Sequence, residues 1–178
     1  MEQILKESFA GCEMSKQAAR VSRYATPLAV MLVTMGLIIC QPASPVKELT
    51  IGLLAFSIVF NLAAVPFIAR AKDPHFWIHI RVYVNLAVNV LIVYYLGGYW
   101  KPSWFLLALT PLATAIYDSR RMTLLSALGV GALLLLIEAT RKLSSPIEWC
   151  EQAANVLFIL LVSLLINELV ASTRPQKT

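Results

Sequence analysis

Residues 50–69 read TIGLLAFSIVFNLAAVPFIA, twenty positions with no charge and a single amide, Asn61. A helix needs about twenty mostly apolar residues to cross a hydrocarbon layer of roughly 30 Å. Lipid offers no partner to an exposed backbone N–H or C=O, so a segment held there must satisfy its backbone internally. Working outward, comparable charge-free windows recur at 24–40, 82–100, 102–117, 122–137 and 152–167. The expected fold is therefore all-α, a polytopic membrane protein built as a bundle of six transmembrane helices over residues 24–170. A cytoplasmic segment at 1–23 and a short tail at 171–178 flank it. The first 23 residues are polar with no apolar core, which argues against a cleavable leader.

Composition agrees with this reading. Of 178 residues 58% are hydrophobic and 14% charged, far from the balance of a soluble domain. The formal charge of +5 does not point to nucleic acid, because the basic residues are scattered between apolar runs rather than clustered on one segment. They read instead as topology signals. The connections carry breakers or charge, at Gln41-Pro42-Ala43-Ser44-Pro45, Lys72-Asp73-Pro74, Gly97-Gly98, Asp118-Ser119-Arg120-Arg121 and Ser144-Ser145-Pro146. The N-terminal segment, the second loop with Arg70, Lys72 and Arg81, the fourth loop and the C-terminal tail together hold 11 of the 15 Lys and Arg. Both termini are thus expected on the cytoplasmic side. Tyr94, Tyr95, Tyr99, Trp100, Trp104 and Trp149 then mark the outer boundary, and Tyr24, Phe76, Trp77 and Tyr117 the inner one.

Polar side chains inside the spans are the candidates for function, since placing them in lipid is costly. Asn85 and Asn89 share a face of the third helix, and Asn61 lies at comparable depth in the second. Thr110 and Thr114 repeat that spacing in the fourth. One reading is interhelical hydrogen-bonding glue, worth about 0.6 kcal/mol per contact. The other is a small buried ligand site formed by Asn61, Asn85 and Asn89. His75 and His79, four apart in the inner loop beside Trp77, read as interfacial packing rather than a metal pair, and no cofactor is expected. Cys40 and Cys150 fall on the same outer side of the expected topology, where a disulfide between them is conceivable; buried cysteine is otherwise a small apolar residue. Pro66 and Pro111 interrupt the second and fourth helices, and Ala127 and Gly131 place small residues four apart in the fifth, permitting close helix approach.

The stretch Gly97-Gly98-Tyr99-Trp100-Lys101-Pro102-Ser103-Trp104-Phe105, then Leu109-Thr110-Pro111-Leu112 and Tyr117-Asp118-Ser119-Arg120-Arg121-Met122-Thr123-Leu124-Leu125, resembles the six-helix membrane input domains of bacterial histidine kinases and diguanylate cyclases. The resemblance implies a sensor-like, non-catalytic module in a bacterial inner membrane. In those sensors the sixth helix continues into a catalytic domain, whereas here only about ten residues follow Asn167. An input domain acting through a separate signalling partner is therefore expected, with the contact near Asn167, Glu168 and Leu169 and including Arg174 or Lys177. A substrate-binding or carrier subunit of a transporter, and a scaffold able to form homo-oligomers, fit the same composition. The bilayer itself is the remaining partner, and no catalysis is expected from the chain alone.

Overall fold

The computed structural model describes residues 24–71, 74–141 and 146–173, apart from the side chains of Ala69, Pro74, His75, Tyr117 and Thr173. These residues are helical or in short turns. Helix α1 runs through Tyr24–Cys40. It is followed by α2 (Val46–Arg70), α3 (Pro74–Leu96), a 3-10 turn at Lys101–Trp104, α4 (Phe105–Tyr117), α5 (Arg120–Thr140) and α6 (Pro146–Thr173). Four of these, within α2, α3, α5 and α6, are long and apolar enough to cross a membrane.

Helix ends follow local chemistry rather than the limits of charge-free windows. Pro74 opens α3, where a missing N–H removes nothing, and Gly97-Gly98 closes it. The third helix therefore occupies 74–96 rather than 82–100, and its first turns take in Phe76, Trp77, His79 and Arg81, expected in a loop. An isolated charge does not end a helix whose other neighbours are apolar. Helices α2, α5 and α6 likewise extend past their windows to include Glu48, Arg120, Arg121, Glu138 and Glu151. Pro66 and Pro111 sit inside α2 and α4.

Contacts divide the chain into two units, Met1–Tyr99 and Trp100–Thr178. In the first, α2 packs along α3. In the second, α4, α5 and α6 pack against one another. The buried face of α5 is Thr123, Ala127, Val130, Gly131, Leu134 and Ile137, the three-and-four spacing of one helical stripe. Gln152, Ile159, Ser163 and Asn167 form the corresponding stripe on α6. Opposite it, Leu157, Leu161, Leu165 and Leu169 point outward, Leu165 being 60% exposed. Polar residues such as Gln152, Ser163 and Asn167 inside, with a row of leucines outside, is the reverse of what water selects, and it is what a lipid solvent permits.

At the head of the second unit Lys101 Nζ lies 2.9 Å from Glu151 Oε2, both side chains being solvent-facing. The hydrogen bond to Glu151, and then its negative charge, raise the Lys101 pKa above 10.5 against a lowering by desolvation, with smaller raising contributions from Glu148 and Glu138. A lysine whose pKa is higher folded than unfolded lends stability that is complete below 10.5 and lost as pH climbs through the raised value. Lys101→Met should accordingly lower the thermal midpoint near neutral pH only slightly, as for other exposed pairs, and the small difference from the parent should vanish in melts taken well above pH 10.5. A large drop at neutral pH would show that the pair is worth more than its exposure allows.

Candidate functional site

The polar residues of the first unit meet between α2 and α3. Ser57 and Asn61 are one turn apart on α2, and Arg81 and Asn85 one turn apart on α3, so each pair shares a helix face. Asn61 Nδ2 donates to Asn85 Oδ1 at 2.8 Å, and Asn85 Nδ2 donates back to Asn61 Oδ1 at 3.0 Å. Arg81 Nε donates to the same Asn61 oxygen at 2.8 Å. The Asn61 amide also donates to the Ser57 carbonyl of its own helix at 2.8 Å.

Asn61 is only 6% exposed. A carboxamide offers two N–H donors and two acceptor sites on oxygen, and these bonds engage all of them. The side chain that looked most like a ligand contact is thus wholly engaged within the protein. Its work is to join two helices and to fix the plane of the Arg81 guanidinium. Asn85 is half-buried, and Asn89 lies half-buried one turn further along α3.

Beside this cluster the α2–α3 pair forms a half-open cavity of about 230 Å³. Phe60, Ala63, Phe67, Trp77 and Ile80 contribute apolar walls, and Arg81 is the charged side chain among the described residues that line it. None of the three asparagines does. Phe67 and Trp77 meet edge to face with ring centroids 4.5 Å apart, an arrangement that suits the quadrupoles of both rings. Arg81 is therefore the candidate-site residue that counting loop charges conceals. Its spacing of four from Asn85, downstream of a helix-opening proline, is the signal that reveals it.

In the second unit the polar residues serve packing. Asn167 of α6, 7% exposed, donates to the carbonyls of Ala115 at 2.9 Å and Asp118 at 3.2 Å. These lie at the C-terminal end of α4, where a helix leaves carbonyls without intrahelical partners. Ser119 then opens α5, its hydroxyl accepting from the Met122 N–H at 3.4 Å. The expectation that Asn167 faces a partner is corrected accordingly: its amide is turned inward, and Glu168 and Leu169 are the exposed members of that turn. Arg174 and Lys177 lie outside the described residues. Asn167→Leu should lower the unfolding free energy of the second unit by about 1–3 kcal/mol, the cost of leaving buried acceptors unmet, while Glu168→Gln changes it little. Thermal unfolding in detergent micelles measures both, and equal stability of the two variants would mean that the α4 carbonyls find other partners.

Thr114 Oγ1 donates to the Pro111 carbonyl at 2.9 Å, within its own helix. Ser163 Oγ and Thr50 Oγ1 are buried with no hydrogen-bond partner among the described residues. Glu138 pairs with Arg141 at 2.6 Å near the end of α5, consistent with a helix-end role. Cys40, the last residue of α1, is half-buried, and Cys150, in the first turns of α6, is exposed; the two belong to different units. His79 is half-buried on α3, the His75 side chain is outside those described, and the described residues hold no cluster of three or more His, Cys, Asp or Glu suited to a metal ion. Compared with family models, curated proteins and solved structures, the chain matches none.

Proposed function

We propose that this chain is a non-catalytic, six-span membrane protein that receives a small ligand in the α2–α3 hairpin and relays its occupancy to a partner. The observation that carries this reading is Arg81, whose Nε is held by a fully engaged amide inside an apolar helix pair and whose side chain lines the groove beside it. A charged side chain within an apolar helix is costly in lipid and marks a functional residue more often than a packing one, which supports binding at this groove.

Six spans require α1 and the α4 segment to cross as well. At 1.5 Å per residue Tyr24–Cys40 rises about 25 Å, and residues 102–117, the 3-10 turn beyond Lys101 together with α4, reach roughly the same length. Both come close to the hydrocarbon thickness of about 30 Å. An even number of spans, with basic residues biased to one side, puts both termini in the cytoplasm.

The relay is tested at the end of α6. Ser172 is exposed there. A photo-activated cross-linker placed at Ser172 in living cells should capture a signalling enzyme, as the sensor-like reading requires. Capture of a transport ATPase would favour the carrier reading instead, and adducts of this chain with itself alone would remove the partner-coupled reading.

A further inference from the structure

We infer that the α2–α3 groove seats one acyl chain of a bilayer phospholipid and is indifferent to that lipid's headgroup. This rests on the reading of the hairpin as a ligand site, and it names the ligand. Along α2 the groove is lined by Phe60, Ala63, Ala64 and Phe67, the spacing of a single helix face, and Trp77 and Ile80 line it from α3. The two alanines leave room between the larger phenylalanines. Arg81 brings no free charge to this lining. Its Nε is taken by Asn61, it holds a further interaction besides, and the surface left open is almost wholly apolar. What it presents to the groove is its methylene stem, while its head helps to fasten α3 to α2.

Volume and length give the same measure of the occupant. A space of roughly 150 Å³ accepts the six carbons of benzene, so one of about 230 Å³ accepts about nine. From Phe60 to Ile68 the helix rises about 12 Å, and an extended chain advancing about 1.2 Å per bond covers that distance in about ten bonds. A stretch of one chain fits, and a bulky polar metabolite does not.

Position selects the source of the chain. The groove runs along α2 in the half of the hairpin that ends at Arg70 and Pro74, and its length of about 12 Å falls within one leaflet, half of roughly 30 Å of hydrocarbon. A phospholipid chain lies in that direction and at that depth, and it can enter through the open side while its headgroup stays at the interface. Inside a bilayer no hydrophobic free energy is gained by moving an apolar molecule into the groove, because lipid tails are as apolar as the lining. Packing contacts alone favour the seated molecule, so the lipid present in bulk outcompetes a dilute apolar solute. A signal relayed from this seat reports the chains of the surrounding membrane.

Trp77 in the groove lining provides the readout. Full-length protein in a sterol-based detergent, whose rigid rings do not fit the slot, would be titrated with phosphatidylcholine brominated within the seated part of its chain. Bromine quenches indole emission on contact, and subtracting the signal of Trp77→Phe isolates this site from the other three tryptophans. The expected result is quenching that saturates at one lipid per chain, at least about tenfold weaker in Ala64→Phe, which fills the slot, and within about twofold for brominated phosphatidylglycerol. Saturation unaltered by Ala64→Phe would place the chain elsewhere, and a preference for phosphatidylglycerol above about tenfold would overturn the indifference to headgroup. Saturation by bromododecane but not by the phospholipid would overturn the bilayer lipid as occupant while leaving the hairpin a ligand site. Saturation by neither would remove the ligand-site reading as well. Trp77 emission that changes with protein concentration in the absence of lipid would put a second copy of this chain in the groove instead. Should Ala64→Phe fail to fold, Ala63→Leu narrows the same slot and is read in the same way.

Discussion

Gly131→Ala is expected to weaken the second unit by about 1–3 kcal/mol relative to Gly129→Ala, although the two substitutions are chemically identical and two residues apart in α5. A methyl group at position 131 would stand 2.7 Å from Val156 Cγ1, whereas at 129 it would meet nothing within 4 Å. Both changes gain the same helix propensity, about 1 kcal/mol over glycine, so their difference isolates the contact with α6. Valine cannot swing aside as a lysine or methionine would, because its branched Cβ holds one rotamer in a helix. The clash must be relieved by moving α5 away from α6, and Gly131→Leu should separate the two helices outright.

Val156→Ala provides the internal check. It removes both γ-carbons and leaves a Cβ 3.7 Å from the added methyl, an ordinary van der Waals distance. The double variant Gly131→Ala, Val156→Ala should recover most of the loss, and the coupling between the two sites is read from a double-mutant cycle in detergent unfolding. If Gly131→Ala proved as stable as Gly129→Ala, glycine at 131 would not be what allows the two helices to approach.

Asn61→Leu is expected to cost the first unit about 2 kcal/mol, several times the mean for one polar contact in a membrane helix pair. The substitution deletes the acceptor of Arg81 Nε and both halves of the reciprocal bond with Asn85. Leucine has the branching and heavy-atom count of asparagine but is bulkier, so the loss reports missing polar bonds and some overpacking rather than a void. Asn61→Asp separates the two parts of that role. It keeps an oxygen facing Arg81, now as a charge-assisted acceptor, while giving up the donor to Asn85 and Ser57, so it should be clearly more stable than Asn61→Leu. Loss of denaturation midpoint in matched micelles ranks the three proteins, and an Asn61→Leu variant as stable as the parent would show that the network is incidental to folding.

Within the candidate site, Asn61 and Asn85 were legible from the linear chain, because helical spacing places an amide at comparable depth on neighbouring helices. Arg81 was not, because a charge at the edge of an apolar run is ordinarily the start of a loop. Its membership in α3 depends on Pro74 opening the helix two turns earlier and on Asn61 accepting the guanidinium, and the second condition lies twenty residues away in sequence. Asn167 misled for the opposite reason. Near the end of the last apolar run it resembles a surface residue, yet it reaches across to carbonyls of another helix.

What the chain determines by itself is its helical, apolar character and the approximate extent of each helix. Those follow from a rule that acts on every segment separately: a backbone in lipid must bond internally, so apolar length and local breakers suffice to show where helices run. Which way each helix is turned, and so whether a polar side chain meets another helix, a cavity or lipid, only the tertiary structure decided. Rotation about a helix axis changes none of the backbone bonds; it is chosen by contacts between segments far apart in sequence, such as Gly131 against Val156, Asn61 against Asn85 and Asn167 against Ala115. Those contacts also decided the task of Asn61, because an amide whose donors and acceptors are met by the protein has none left for a ligand.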